Sequence, residues 1–158
     1  LVAAGFLNSF IRHADTVKIA NIAQIVNIIA PLLTKGDGLL IQSIFYPFEM
    51  MSRRRNGVSL RFAVEGPEYA SPSYGKVNTI DVSTILSENE LQLFTTNRSL
   101  DKTAEIHVNL ADSAKASNSF EKPDVVISQP FDSVTINKGK AIYEMPPLSF
   151  AAVSLKLK

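Results

Sequence analysis

The 158 residues are 46% apolar and 20% charged, the balance of an ordinary globular domain with a core of its own. A formal net charge of +1 gives no electrostatic case for a nucleic-acid partner. The lack of cysteine excludes disulfides, thiolate metal sites and a cysteine nucleophile, and leaves the compartment open.

Read in chain order, the first stretch is helical. Leu1, Val2, Phe6, Leu7, Phe10 and Ile11 recur near i, i+4 and i+5 as an apolar stripe. The chain begins at Leu1, without Met or a basic leader. It is therefore expected to lack a signal peptide and to be a piece of a longer protein. "DTVKIANIA" (Asp15–Ala23) is short, β-branched and apolar, as in a strand buried on both faces. "NIAQIVNIIAPLL" (Asn21–Leu33) is apolar but carries an amide at Asn21, Gln24 and Asn27. The uncharged run from Ile19 to Thr34 is shorter than the roughly 18–20 residues of a membrane helix and contains Pro31, so it reads as protein interior and no membrane partner is expected. Lys35-Gly36-Asp37-Gly38 is a loop, and "IQSIFYPFEMMSRRR" (Ile41–Arg55) is helical again, with Pro47 marking a start, kink or turn.

Near Asn56-Gly57 the period changes to two. "SLRFAVE" sets Leu60, Phe62 and Val64 against Arg61 and Glu65. "AEIHVNL" sets Ile106, Val108 and Leu110 against Glu105, His107 and Asn109. "ELQLF", "SVTIN" and "AVSLKLK" alternate likewise. Turn clusters at 71–75, 97–99 and 137–139 separate such runs, the mark of an antiparallel sandwich or barrel. The chain divides into an α/β piece, residues 1–56, and an all-β piece, residues 57–158.

"RHADTVKIANIAQIVNIIAPLL" (Arg12–Leu33) resembles the last strand region of α-L-arabinofuranosidases of glycoside hydrolase family 51. "GLLIQSIFYPFEMMSRR" (Gly38–Arg54) is similar to the helix that follows it in that family. "LQLFTTNRSLDKTAEIHVNL" (Leu91–Leu110) and "YEMPPLSFAAVSLKL" (Tyr143–Leu157) are similar to its sandwich hairpin and closing strand. The resemblance implies a mainly β fold. An antiparallel, jelly-roll-like β-sandwich over 57–158 would follow an α/β segment, 1–56, resembling the last part of a (β/α)8 barrel. It also implies a retaining glycosidase that releases terminal α-L-arabinofuranosyl groups from arabinan- or arabinoxylan-type polysaccharides through two glutamates. Both lie upstream of Leu1 in the family's order, so this chain holds no catalytic residue and by itself is expected to be inactive. No cofactor is implied. The expected partners are the polysaccharide, the remainder of the barrel, and other copies in a homo-oligomer. The competing readings are a non-catalytic carbohydrate-binding module and a purely structural sandwich. Phe62, Phe94, Phe120, Phe131 and Phe150, with no Trp in the chain, read as core rather than as a sugar platform.

The resemblance makes Gln24 a substrate-binding residue, just past the eighth barrel strand, where such barrels build their sites. An amide suits a neutral sugar because it both donates and accepts. The plain alternative is an amide tying down backbone. Asn21 is expected to support the pocket floor and Asn27 to cap a helix or loop. The remaining polar groups have bland readings. His13 and His107 lack metal-ligand spacing, so no metal site is expected. His13 beside Asp15 is a helix-end pair and His107 faces solvent. Glu65 and Glu68 flank a solvated Gly66-Pro67 turn. Arg53-Arg54-Arg55 is a charged helix end. Ser149 lacks any nucleophile-elbow context, and Tyr46 and Phe48 are packing residues.

Overall fold

The computed structural model describes residues 1–109, 116–119, 134–137 and 140–157. Helix α1 (Val2–Arg12) is followed by a long irregular segment and the hairpin β1 (Leu32–Lys35) and β2 (Gly38–Ile41). Helix α2 (Phe45–Ser52) leads into strands β3 (Val58–Ser59), β4 (Glu68–Ser71), β5 (Gly75–Asn78), β6 (Ile80–Ser87), β7 (Glu90–Asn97) and β8 (Ala104–Asn109). Then come β9 (Ala116–Ser119), β10 (Thr135–Asn137), β11 (Lys140–Met145) and β12 (Ser149–Leu157). The strands form a five-stranded sheet in the order β3-β6-β7-β12-β9, a three-stranded sheet β10-β11-β8, and two separate hairpins, β1-β2 and β4-β5. Among the described residues these strands pair antiparallel with one another, and a single parallel bridge joins Val26 to Leu32 of β1. The fold is the mainly β sandwich expected; no closed barrel is present among the described residues.

Strand alternation sorts the core into two layers. On β7, Leu91 and Leu93 face the three-stranded sheet and pack with Val153 and Leu155 of β12 and with Ala141, Tyr143 and Met145 of β11. The opposite face of the same sheet carries Ile85 and Phe94, with Ala152 and Phe150 partly buried beside them. Leu7 and Ile11 of α1 and Phe48 and Met51 of α2 cover that face. The five-stranded sheet is therefore buried on both sides, which is why β6 and β7 lie in the interior along most of their length. Burying a side chain the size of Phe94 contributes about 2–3 kcal/mol.

Local sequence explains several boundaries. Pro47 lies in the first turn of α2, where its missing N–H has no helical acceptor to lose. Arg55 Nη1 donates to Ser52 O at 2.6 Å and Arg54 Nη1 to Met50 O at 3.1 Å, so the basic run caps the helix's last carbonyls. Gly57 has φ +132, and a Cβ there would meet Leu86 O at 2.2 Å; only glycine lets β3 approach β6. Asn97 fastens the turn after β7: its amide donates to the carbonyls of Lys102, Met145 and Pro146, each at 2.9 Å. Its oxygen accepts from Ser99 N–H at 2.9 Å.

Three expectations are corrected. Val17–Ala23 forms no strand: it runs irregularly, because no neighbouring strand offers it a ladder among the described residues. Of the run "SLRFAVE" only Ser59 lies in the sheet, at the end of β3, with one further backbone bond from Leu60 N–H to Thr84 O at 3.3 Å. Phe62 is consequently exposed rather than in the core. The segment around Gly36-Asp37, expected only as a loop, is the two-residue turn of the β1–β2 hairpin, with Gly36 at φ +57. Phe120, Phe131 and Leu110 lie outside the described residues.

Tyr143 is fully buried and shares a 2.5 Å hydrogen bond with Thr95 Oγ1 across the two sheets. Burial pushes its phenol up to about 12, and the bond to Thr95 pulls the other way. The raised folded value means the unfolded chain ionises first. The stability it contributes is complete below pH 10 and drains away as pH rises toward 12. Chemical denaturation between these values should show stability falling by up to about 1.4 kcal/mol per pH unit from this group. In Tyr143→Phe that share of the slope should be absent.

Candidate functional site

Helix α1 is fixed to the sandwich by polar contacts as well as by Leu7. Asp81 on β6 accepts from Arg12 Nη1 at 2.9 Å on one oxygen and from Asn8 Nδ2 at 3.0 Å on the other. Arg98 Nη2 also pairs with the second oxygen at 3.2 Å. Arg12 donates as well to Val82 O at 2.7 Å, and Ser83 Oγ donates to Asn8 Oδ1 at 2.7 Å. Asn8 is fully buried and Asp81 nearly so, while both arginines keep about a third of their side chains in water. The cluster is well satisfied: two guanidinium groups and one amide converge on one carboxylate. Nothing in the sequence singled it out. The only signal was one charged residue, Asp81, amid the β-branched run "TIDVSTIL".

Beyond α1 the chain turns at His13, whose Nδ1 lies 2.8 Å from Ser9 O, so this histidine closes the helix and makes no ion pair with Asp15. The segment from Val17 to Ile29 then passes over the surface, and Ala30 and Pro31 turn inward. Gln24, Asn27 and Ile28 have φ of 56, 62 and 59. For the β-branched Ile28 this is a costly conformation. Asn27 holds the loop to β1: its Oδ1 accepts from Thr34 N–H at 2.8 Å and its N–H donates to Leu32 O at 2.8 Å. That is the capping role expected of it. Gln24 and Asn21 are both exposed, and among the described residues no hydrogen bond reaches either side chain. The structure therefore places Gln24 on an open loop with its side chain exposed to water. Asn21 stands in irregular chain, not in a strand end.

The same part of the molecule exposes most of the large apolar side chains. Val2, Phe6 and Phe10 form the outer stripe of α1, with the Phe6 and Phe10 rings 6.4 Å apart. Ile19, Ile25, Val26, Ile28 and Ile29 follow on the loop, and Leu39, Leu40 and Ile41 on β2. The apolar stripe of α1 thus divides: Leu7 and Ile11 meet the sandwich, while the phenylalanines stand open. Large apolar side chains are concentrated at the surface in residues 1–41 to an extent that points to a contact.

The residues given bland readings remain bland. His107 pairs with Glu105 on the exposed face of β8. Glu68 pairs with Lys76 at 3.5 Å, and Glu65 is exposed. Arg53 pairs with Glu49 one helical turn back. Ser149 Oγ donates to Pro146 O at 2.6 Å, a turn bond. Phe48 packs against the helix-side core, and Tyr46 meets Phe45 edge to face at 5.8 Å. Among the described residues no group of three metal-ligating side chains converges.

Comparison with known proteins completes the description. The family described as α-L-arabinofuranosidase C-terminal domain matches residues 1–149. An intracellular exo-α-(1→5)-L-arabinofuranosidase of Streptomyces lividans is 29% identical over 170 aligned residues, covering 97% of this chain and 26% of that protein. An intracellular exo-α-(1→5)-L-arabinofuranosidase of Bacillus subtilis is 37% identical over 105 residues, covering 65% of this chain and 21% of its own length. Among solved structures, a family 51 α-L-arabinofuranosidase from Bifidobacterium longum superposes with a TM-score of 0.81 at 22% identity. That match covers 99% of this chain and 34% of the other. The chain thus spans about a quarter of the length of the first of these relatives.

The Asp81 cluster makes a quantitative demand. In urea denaturation, Asp81→Ala should cost about 2–3 kcal/mol, because it leaves two arginines and a buried amide without their acceptor. Arg12→Ala should cost clearly less in the Asp81→Ala background than in the parent chain, a positive coupling in a double-mutant cycle. Additive effects would mean that the cluster does not hold α1.

Proposed function

Because the chain belongs to the α-L-arabinofuranosidase C-terminal domain family, we propose that it is the C-terminal portion of a retaining α-L-arabinofuranosidase. In this reading the whole enzyme releases terminal α-L-arabinofuranosyl groups from arabinan- or arabinoxylan-type polysaccharides. The observation that carries the reading is the family match over residues 1–149. The open apolar surface of residues 1–41 supports it, since that surface is what the end of a barrel presents where the remaining strands and helices dock.

Residues 1–56 are then the last segment of the (β/α)8 barrel, and residues 57–158 the sandwich that braces it. The acid/base and nucleophile glutamates of a retaining glycosidase come from the rest of the enzyme, and this chain contributes substrate contact and support. Gln24 is the contact. Its exposed amide makes no hydrogen bond to the described residues, so its donor and acceptor can turn to a sugar's hydroxyls, and its loop leaves α1 at the point where Arg12 is locked to Asp81. Asn21, on the same loop, supports it. Loop strain at Gln24 and Ile28 fits a segment whose conformation is set by neighbours on its open side.

The purified chain by itself should release no p-nitrophenol from p-nitrophenyl α-L-arabinofuranoside; measurable turnover would overturn the assignment of the glutamates elsewhere. In the full-length enzyme Gln24→Ala should lower kcat/KM on this substrate by roughly 5- to 100-fold, the loss of one or two sugar hydrogen bonds. Kinetics within about twofold of the parent would remove Gln24 from the site.

A further inference from the structure

Asn56-Gly57 is the only Asn-Gly step in the sequence, and it lies where α2 hands over to the sandwich. Helix α2 ends at Ser52, Arg53 and Arg54 make the turn after it, and β3 opens at Val58. Asn56 and Gly57 are irregular chain, and both are exposed. Among the described residues no hydrogen bond reaches the Asn56 side chain or the Gly57 N–H. Position 57 must nevertheless be glycine. Its φ of +132, and the 2.2 Å approach that a Cβ would make to Leu86 O, exclude a side chain that could shield the nitrogen from the asparagine before it. Other amides are held. Asn8 and Asn97 are fully buried and bonded, and Asn27 is bonded to Thr34. The only Asp-Gly step, Asp37-Gly38, lies inside the β1–β2 hairpin with Gly38 paired opposite Lys35.

Asparagine is among the thermolabile residues. The Gly57 nitrogen attacks Asn56 Cγ and gives up its proton, and ammonia leaves as a five-membered succinimide closes. Water then opens either carbonyl of the ring, giving aspartate or isoaspartate. One water is consumed and one ammonia released, with no oxidant or cofactor. We propose that Asn56-Gly57 is a spontaneous modification site that loosens the junction of α2 and β3. The new carboxylate arrives beside Arg55, whose guanidinium otherwise donates to Ser52 O at 2.6 Å, and at the negative end of α2. The isoaspartyl form also adds a main-chain carbon directly before the close approach of Gly57 to Leu86. Strand β3 has only two residues with which to resist that shift.

Prolonged warm incubation of the chain in mildly alkaline buffer tests the site, with weakly acidic buffer as control and circular dichroism to follow the fold. The formal net charge of +1 should fall to 0 as one neutral amide becomes a carboxylate, a shift read by isoelectric focusing. Trypsin cuts after Arg55 and Arg61, so peptide mapping should find the change in Asn56–Arg61 before any other asparagine-bearing peptide. The charge-shifted form, separated by ion exchange, should melt roughly 2–4 °C below the parent. Asn56→Gln should block the charge shift and melt with the parent. Asn56→Asp, which adds the charge without the extra main-chain carbon, should melt above the isoaspartyl form. An Asn56–Arg61 peptide that stays unchanged, or a charge-shifted form that melts with the parent, overturns the proposal.

Discussion

Arg12 reaches one oxygen of the Asp81 carboxylate, and Asn8 and Arg98 reach the other. These three partners come from a helix at one end of the chain and from the turn after β7. The carboxylate is nearly buried, so its desolvation has to be offset by its partners, and here both of its oxygens are bonded. Because the contacts are directional, α1 is fixed in rotation as well as in place. That in turn decides which of its two apolar stripes meets the sheet and which stays open. The position of the loop that leaves α1, with Gln24 on it, follows from the same contacts.

The helices do for the five-stranded sheet what a second sheet does on its other side. The inner face is covered by β8, β10 and β11 around Tyr143, and the outer face by Leu7, Phe48 and Met51. Polar residues on the outer face are matched to the helices rather than to water. Arg54 Nε donates to Ser154 Oγ at 3.3 Å, and Ser154 Oγ donates to Gln92 Oε1. Among the described residues no fully buried side-chain nitrogen or oxygen lacks a hydrogen bond. The part of the chain read as barrel and the part read as sandwich therefore share one interior.

The contrast with residues 17–41 is sharp in energetic terms. There most of the large apolar side chains stand in water, and the non-glycine residues Gln24, Asn27 and Ile28 adopt positive φ. Exposed apolar side chains and a β-branched residue at positive φ are unfavourable in isolation, and a neighbouring surface would relieve both. The fold is closed on the sandwich side and open on this one.

The all-β half was legible because alternation at period two is written into the residues themselves. Leu91 and Leu93, Ile106 and Val108, and Val153 and Leu155 each declare one buried face without reference to any partner. Helical spacing announced α1 and α2 in the same way, and the helix-closing role of Arg54 and Arg55 could be read from charge alone. Tertiary structure decided what those patterns pack against. The periodicity of α1 could not say that Leu7 would be covered and Phe6 left open, because both are apolar and the choice is made by Asn8 and Arg12 finding Asp81 some seventy residues away. Nor could it deny a strand to Val17–Ala23, whose apolar, β-branched composition fits one well. A strand is a property of two chains side by side, and the sequence of one of them specifies only half of the hydrogen bonds.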